Sequence, residues 1–229
     1  MDTILITCPK NHKRTMERLP TIEKFLGWKV DVLMNANDTT SRIWLSKCKI
    51  ETPCEVGHFR AVQYAYDMGL DQVMILEDDT IFNKYLFHKC LDAKPSDADV
   101  SIFGWWVNGV WYESDLNTNR LNEVRKEVMS FSKPVNEFWI EQASTTFGSQ
   151  CYVLSRKGME KVLEVSRILP HPPILSDGAL SKGWVNGCKV YHTNCPATLQ
   201  EFDDTNDKLH GFSARAMALN WNAKRNDYI

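Results

Sequence analysis

The sequence predicts an α/β fold: a single domain with a mostly parallel central sheet flanked by helices, and a small β-hairpin region. Three observations predict it. "TILIT" (Thr3 to Thr7) is a short β-branched run, and "QVMIL" (Gln72 to Leu76) is too uniformly apolar for a strand with one wet face, so both of its faces must be covered. Segments with apolar residues at helical spacing stand between such runs, the alternation that builds parallel sheets with helices on both sides. No internal repeat or low-complexity linker divides the 229 residues, so one domain accounts for the length.

The elements follow in order. "TILIT" is the first strand, "CPKNHKR" a polar loop, and a helix continues to about Leu19. "WKVDVLM" (Trp28 to Met34) is the second strand and "NANDTTS" a turn-rich loop. Val56, Phe59, Val62 and Ala65 recur at helical intervals, and Gly69 stands where that helix should stop. "QVMIL" is a buried strand. "ADVSIFGWW" (Ala98 to Trp106) is another, and "NGVWYE" turns a hairpin through Asn108 and Gly109. Glu113 to Asn136 is polar with weak periodicity, a surface excursion or lid. "FGSQCYVLS" returns to strand, "RKGMEKVLEVSRIL" is helical, and "GCKVYHTNCPA" is a late strand.

Composition narrows the function. Apolar residues make up 43% and charged residues 24%, an ordinary globular balance, and the net charge of -2 supplies no field of nucleic-acid scale. No apolar run approaches the ~18 residues that a membrane-spanning helix needs. "MDTILITCPKNHKR" lacks the pattern of a secretion signal, which leads to the expectation of a cytoplasmic protein. Seven irregularly spaced cysteines with no C-x-x-C pair read as free, mostly buried thiols.

The chemistry gathers at "VMILEDDTIF", where an apolar strand runs into Glu77, Asp78 and Asp79. Adjacent carboxylates at a partly dry strand end repel and lose solvation unless a cation or hydrogen-bond donors compensate. In parallel sheets ligands collect beyond the carboxyl ends of the strands, where these acids stand. Alternation along a strand would put Glu77 and Asp79 on one face and turn Asp78 away. A hard divalent cation, magnesium or manganese, takes one or two carboxylates together with phosphates and water. A solvated acidic turn is the plainer reading of the same residues.

"E-D-D" after an apolar strand looks like the D-x-D metal and nucleotide-sugar motif of glycosyltransferases with the GT-A fold. More specifically, "CEVGHFRAVQYAYDMGLDQVMILEDDTIF" resembles glycosyltransferase family 25, the lipopolysaccharide and collagen galactosyltransferase group. "GSQCYVLSRKGMEKVL", "ILSDGAL" and "KVYHTNCPATLQ" are similar to later segments of that family, in order, so the likeness covers about Val56 to Gln200. One departure is that His58 follows Gly57, where the family carries Cys and then Ser-His in its helix. A divergent viral or bacterial member is implied, in which case the cytoplasm would be the host's.

The resemblance implies a metal-dependent inverting glycosyltransferase that takes a UDP-sugar or another nucleotide-diphosphate sugar. Its acceptor would be a hydroxyl of a glycan, glycoprotein or glycolipid, with no nucleic acid and no transmembrane segment involved. Residues 1–104 would form the nucleotide-sugar half and 105–229 the acceptor half. Asp79 and Glu77 would hold Mn2+ (or Mg2+), with His210 as a late ligand, and Asp78 would touch the donor sugar or ribose. Thr7, Cys8, Arg14, Asn35 and Asn37 would frame the nucleotide. Asp177 would be the general base, although it also suits a helix N-cap; His210 equally suits a solvated histidine. Trp105, Trp106 and Trp111 fit acceptor stacking or hairpin packing. Two rivals remain in view: a carbohydrate-binding module without catalysis on the same fold, and a nucleotidyltransferase, for which the glycine-rich phosphate loop is missing from "TCPKNHKR".

Overall fold

A computed structural model describes residues 1–9, 11–34, 53–103, 133–141, 149–168, 180, 185, 187–195, 197–200 and 228–229. Its main sheet has eight strands: β1 (Thr3–Thr7), β2 (Asp31–Met34), β3 (Gln72–Glu77), β5 (Val100–Ile102), β6 (Lys133–Pro134), β7 (Trp139–Glu141), β8 (Cys151–Ser155) and β9 (Val190–Thr193). They lie in the order β2-β1-β3-β8-β5-β9-β7-β6. A two-stranded sheet pairs β4 (Thr80–Phe82) with β10 (Thr198–Gln200). The helices are α1 (His12–Leu26), α2 (Pro53–Asp67), α3 (Phe87–Asp92) and α4 (Arg156–Ile168).

The fold is a mixed α/β domain, and the sheet corrects one expectation. β1 is parallel to β2 and β3, and β5 to β9, but β8 runs antiparallel between β3 and β5, and β7 and β6 are antiparallel as well. The physical reason is that uniform apolarity reports burial on both faces, not strand direction. Ile4, Ile6, Val73, Ile75, Tyr152 and Leu154 join one core with Ala61 and Val62 of α2 and Met159 and Leu163 of α4. Leu5, Met74, Leu76, Cys151 and Val153 point the other way, into a core with Ile22 and Leu26 of α1 and Phe87 of α3. Each strand thus feeds both cores with alternate residues.

Helix α1 runs through Pro20 to Leu26, seven residues beyond the predicted end, and stops at Gly27 with φ +87°. Proline removes one helical hydrogen bond, the one to the Met16 carbonyl. Both Met16 and Pro20 are exposed, so water can satisfy that oxygen, while Ile22 and Leu26 bury the extra turns. The second strand is shorter than expected, and α2 ends before Gly69, whose φ is +75°. The hairpin through Asn108 and Gly109 lies outside the described residues. The described end of the polar excursion is a hairpin of β6 and β7, with Trp139 fully buried. Cys8, Cys90, Cys151, Cys188 and Cys195 are free, and Cys90 Sγ lies 3.6 Å from Cys195 Sγ.

At the other end of the sheet Asp99 ties α4 to β9. It accepts from Ser155 Oγ at 3.2 Å, from Lys157 Nζ at 2.8 Å and from the Lys189 backbone N–H at 2.9 Å. Burial alone would raise its pKa, but these donors outweigh burial and hold it below the ordinary aspartate value of 3.8. A carboxyl depressed in the folded state contributes stability that is complete above its unfolded value and is lost as pH falls through the folded one. Stability is therefore expected to drop as pH falls below about 3.8, and Asp99→Asn to remove that part of the acid sensitivity in pH-dependent urea unfolding.

Candidate active site

The acid cluster sits where the ends of β1 and β3 meet the start of β8. β3 closes at Glu77, and Asp78 and Asp79 form the turn into β4, so the strand alternation ends at Glu77 and reaches neither Asp78 nor Asp79. Arg18 of α1 holds this turn by its backbone, donating to Asp78 O at 2.9 Å and to Thr80 O at 3.0 Å. Thr80 Oγ1 donates to Gln150 O at 2.5 Å, and the Glu77 N–H to the same carbonyl at 2.9 Å, which joins the turn to β8.

The three carboxylates have three different environments. Asp78 faces β1 and α1: Thr7 Oγ1 donates to its Oδ2 at 2.7 Å and Asn11 Nδ2 to its Oδ1 at 3.3 Å. The Thr7 hydroxyl also lies 2.8 Å from that of Thr15. Glu77 faces α2 and β8: His58 Nε2 and Ser149 Oγ both lie 3.0 Å from its Oε1. Asp79 Oδ1 is buried and has no hydrogen-bond partner among the described residues. Burial, then the charges of Glu77 and Asp78, push its carboxyl well above the ordinary aspartate range, and the Arg14 guanidinium opposes the shift.

Two further polar atoms near the start of α1, His12 Nδ1 and Arg14 Nε, are likewise buried without a partner. A buried polar atom left unpaired is costly, so the Asp79 oxygen, with Arg14 close enough for its charge to act on it, marks a place that a ligand can complete. The donor chemistry suits a hard cation: Asp79 offers an oxygen with no partner among the described residues, close enough to Glu77 for the two charges to interact. Among the described residues no group of three His, Cys, Asp or Glu could enclose an ion alone. A cation held there would need water or phosphate oxygens to complete its shell, as magnesium and manganese accept.

Of the residues predicted from sequence, the structure brings Thr7, Glu77, Asp78 and Asp79 together, with Arg14 close enough for its charge to act on Asp79. Cys8 is the partly exposed residue after β1, and its carbonyl accepts the Asn11 N–H at 2.9 Å. Asn35, Asn37, Trp105, Trp106, Trp111, Asp177 and His210 lie outside the described residues. Sequence reasoning missed Asn11, Arg18 and Ser149, and marked His58 only as a departure from the family pattern. The segment "GSQCYVLS", singled out for its resemblance, carries both Ser149 and Tyr152, the residues that meet Glu77 and His58.

Among the described residues no helix is long and apolar enough to cross a membrane. No curated protein sequence matches the chain. Among solved structures, a glycosyltransferase involved in glycosylation of the major capsid of PBCV-1 is similar at 8% identity and a TM-score of 0.47, over 96% of this chain and 99% of that one. A197 from STIV is similar at 14% identity and a TM-score of 0.40, over 84% and 81%. The inositol-1-phosphate CTP transferase from T. maritima is similar at 13% identity and a TM-score of 0.39, over 95% and 76%. The family described as glycosyltransferase family 25 (LPS biosynthesis protein) matches residues 30–176, well over half of the sequence and including all three acids, and the chain belongs to that family of glycosyltransferases.

Proposed function

We propose that this glycosyltransferase is metal-dependent and inverting, and that it moves a sugar from a nucleotide-diphosphate sugar, UDP-linked in the first instance, to a hydroxyl of a glycan or glycoconjugate. The observation that carries the reading is the Oδ1 of Asp79, buried and without a hydrogen-bond partner among the described residues, close to two further carboxylates at the end of β3. Asp79, with Glu77 beside it, would hold Mn2+ or Mg2+, and the bound ion would supply positive charge against the departing diphosphate. Thr7, Asn11 and Arg18 fix the acid turn through Asp78 and its backbone, so the carboxylates are set before a ligand arrives. Arg14 and His12 would meet the nucleotide part of the donor with the polar atoms they leave unpaired.

In an inverting transfer the acceptor hydroxyl attacks the anomeric carbon from the face opposite the leaving diphosphate, and a carboxylate takes its proton. Asp177 is the candidate for that role, one residue beyond the end of the family match. Asn35, Asn37 and Cys8 would frame the donor, Trp105, Trp106 and Trp111 would stack on the acceptor, and His210 would complete the metal shell.

The test is release of nucleoside diphosphate from a panel of nucleotide sugars with manganese, read with and without Asp177→Asn. Asp177→Asn is expected to leave donor binding within a few-fold and to lower turnover by roughly 100-fold or more, the span typical of a lost general base. Unchanged turnover would remove Asp177 from the reaction. Donor binding with no release of diphosphate under any acceptor would favour a carbohydrate-binding module instead.

A further inference from the structure

His58 stands in the first half of α2 and is 4% exposed, yet both of its ring nitrogens are engaged. Nε2 lies 3.0 Å from Glu77 Oε1 and Nδ1 lies 2.9 Å from the hydroxyl of Tyr152, itself 1% exposed on β8. The two rings stack with centroids 5.6 Å apart and planes 28° from parallel, so packing as well as hydrogen bonding sets the imidazole. An ionised carboxylate only accepts, so Nε2 carries the hydrogen toward Glu77. Ser149 Oγ donates to the same oxygen at 3.0 Å. Glu77 is therefore held through Oε1 by two donors from separate parts of the chain, one on α2 and one in the turn that precedes β8. A helix, a strand and a loop converge on one side chain, which rules out a surface ion pair formed by chance.

We propose that His58 is a positioning residue for Glu77: together with Tyr152 and Ser149 it fixes the carboxylate plane at the donor site. The proposal rests on the reading of Glu77 and Asp79 as the metal and diphosphate site. A carboxylate on a strand end has two free torsions before its terminal group, and each donor that pins one oxygen reduces the ordering left to be done when a ligand binds. His58 touches neither donor nor metal in this account; it acts through Glu77 alone. Residues that orient a ligating group in this way typically contribute about 10–100-fold to metal affinity or activity.

The experiment is calorimetric titration of the whole chain with uridine diphosphate, in saturating manganese and again in EDTA, for wild type, Asp79→Asn, His58→Leu and His58→Gln. Glutamine can place an amide N–H near the position of Nε2, whereas leucine keeps bulk and removes the donor. His58→Leu is expected to weaken manganese-dependent binding by about 10-fold or more and His58→Gln to stay within about threefold of wild type. Wild-type binding in His58→Leu, alongside its loss in Asp79→Asn, would overturn the positioning role and leave the donor site standing. Equal losses in the leucine and glutamine variants would overturn it too, because bulk and not the Nε2 donor would then matter. Absence of manganese-dependent binding in the wild type would bring down the donor-site reading and the positioning role with it.

Discussion

Asp79→Asn is expected to abolish the manganese-dependent rise in melting temperature that a nucleotide diphosphate gives the wild-type chain, through a loss of affinity of at least about 100-fold, beyond what residues that merely support a ligand contribute. The expectation follows from its environment. Asp78 spends both oxygens on Thr7 and Asn11, and Glu77 Oε1 is shared by His58 and Ser149, whereas Asp79 Oδ1 is buried with no partner among the described residues. Its burial and the two neighbouring acids push its carboxyl well above the ordinary value of 3.8. The sign of the consequence is definite: a carboxyl raised in the folded state lets the native protein bind more protons than the unfolded one, so stability falls as pH climbs from 3.8 through the raised folded value. Asparagine removes the charge, so Asp79→Asn without ligand should melt above the wild type at neutral pH and lose that part of the slope. Higher stability coupled to lost binding is the signature of a functional acid. A variant that melts lower and binds normally would make Asp79 structural.

Gly158→Ala is expected to destabilise the protein by about 3 kcal/mol or more, a fall in melting temperature of roughly 6–12 °C for a chain of this size. A Cβ built at Gly158 would stand 2.1 Å from the backbone oxygen of Asp99 and 3.0 Å from its carbonyl carbon. That oxygen cannot withdraw, because it already accepts the Ser155 N–H at 3.0 Å where β5 and β8 meet. Alanine would gain about 1 kcal/mol in helix propensity over glycine, which is smaller than the clash and loses. A melting point equal to or above wild type would contradict the close packing of α4 on β5.

The same position shows how motif and physics meet. In "LSRKG", Ser155 ends β8 and its Oγ accepts the Gly158 N–H at 3.1 Å, the bond of an N-cap to the third helical residue. Arg156 places its guanidinium 4.2 Å from the Tyr66 ring centre and donates to Tyr66 O at 3.1 Å, locking α4 to the end of α2. Serine, arginine and glycine each have a mechanical reason to be there.

The long elements were legible because burial writes itself into periodicity. "TILIT", "QVMIL" and "CYVLS" are apolar on both faces, and α2 and α4 space their core residues helically. Strand direction was not legible, since β8 is as uniformly apolar as the parallel β3. The short strands β4, β6, β7 and β10, with two or three residues each, are too brief to show any period. Proline masked the continuation of α1, whose later turns are held by core contacts of Ile22 and Leu26. The acid cluster was visible from its composition alone, but the separate environments of its members were not. His58 and Tyr152 are 94 positions apart, and Thr7 and Asp78 are 71 apart. Only the sheet order brings such residues together.

The central claim, that the strand-end acids form a metal-assisted donor site, is tested most directly by calorimetric titration of the wild-type chain with nucleoside diphosphates and their sugars, with manganese and with EDTA. Saturable binding of one base, uridine by this account, that requires manganese is the predicted result. Binding of none of them, or binding indifferent to manganese, would contradict it.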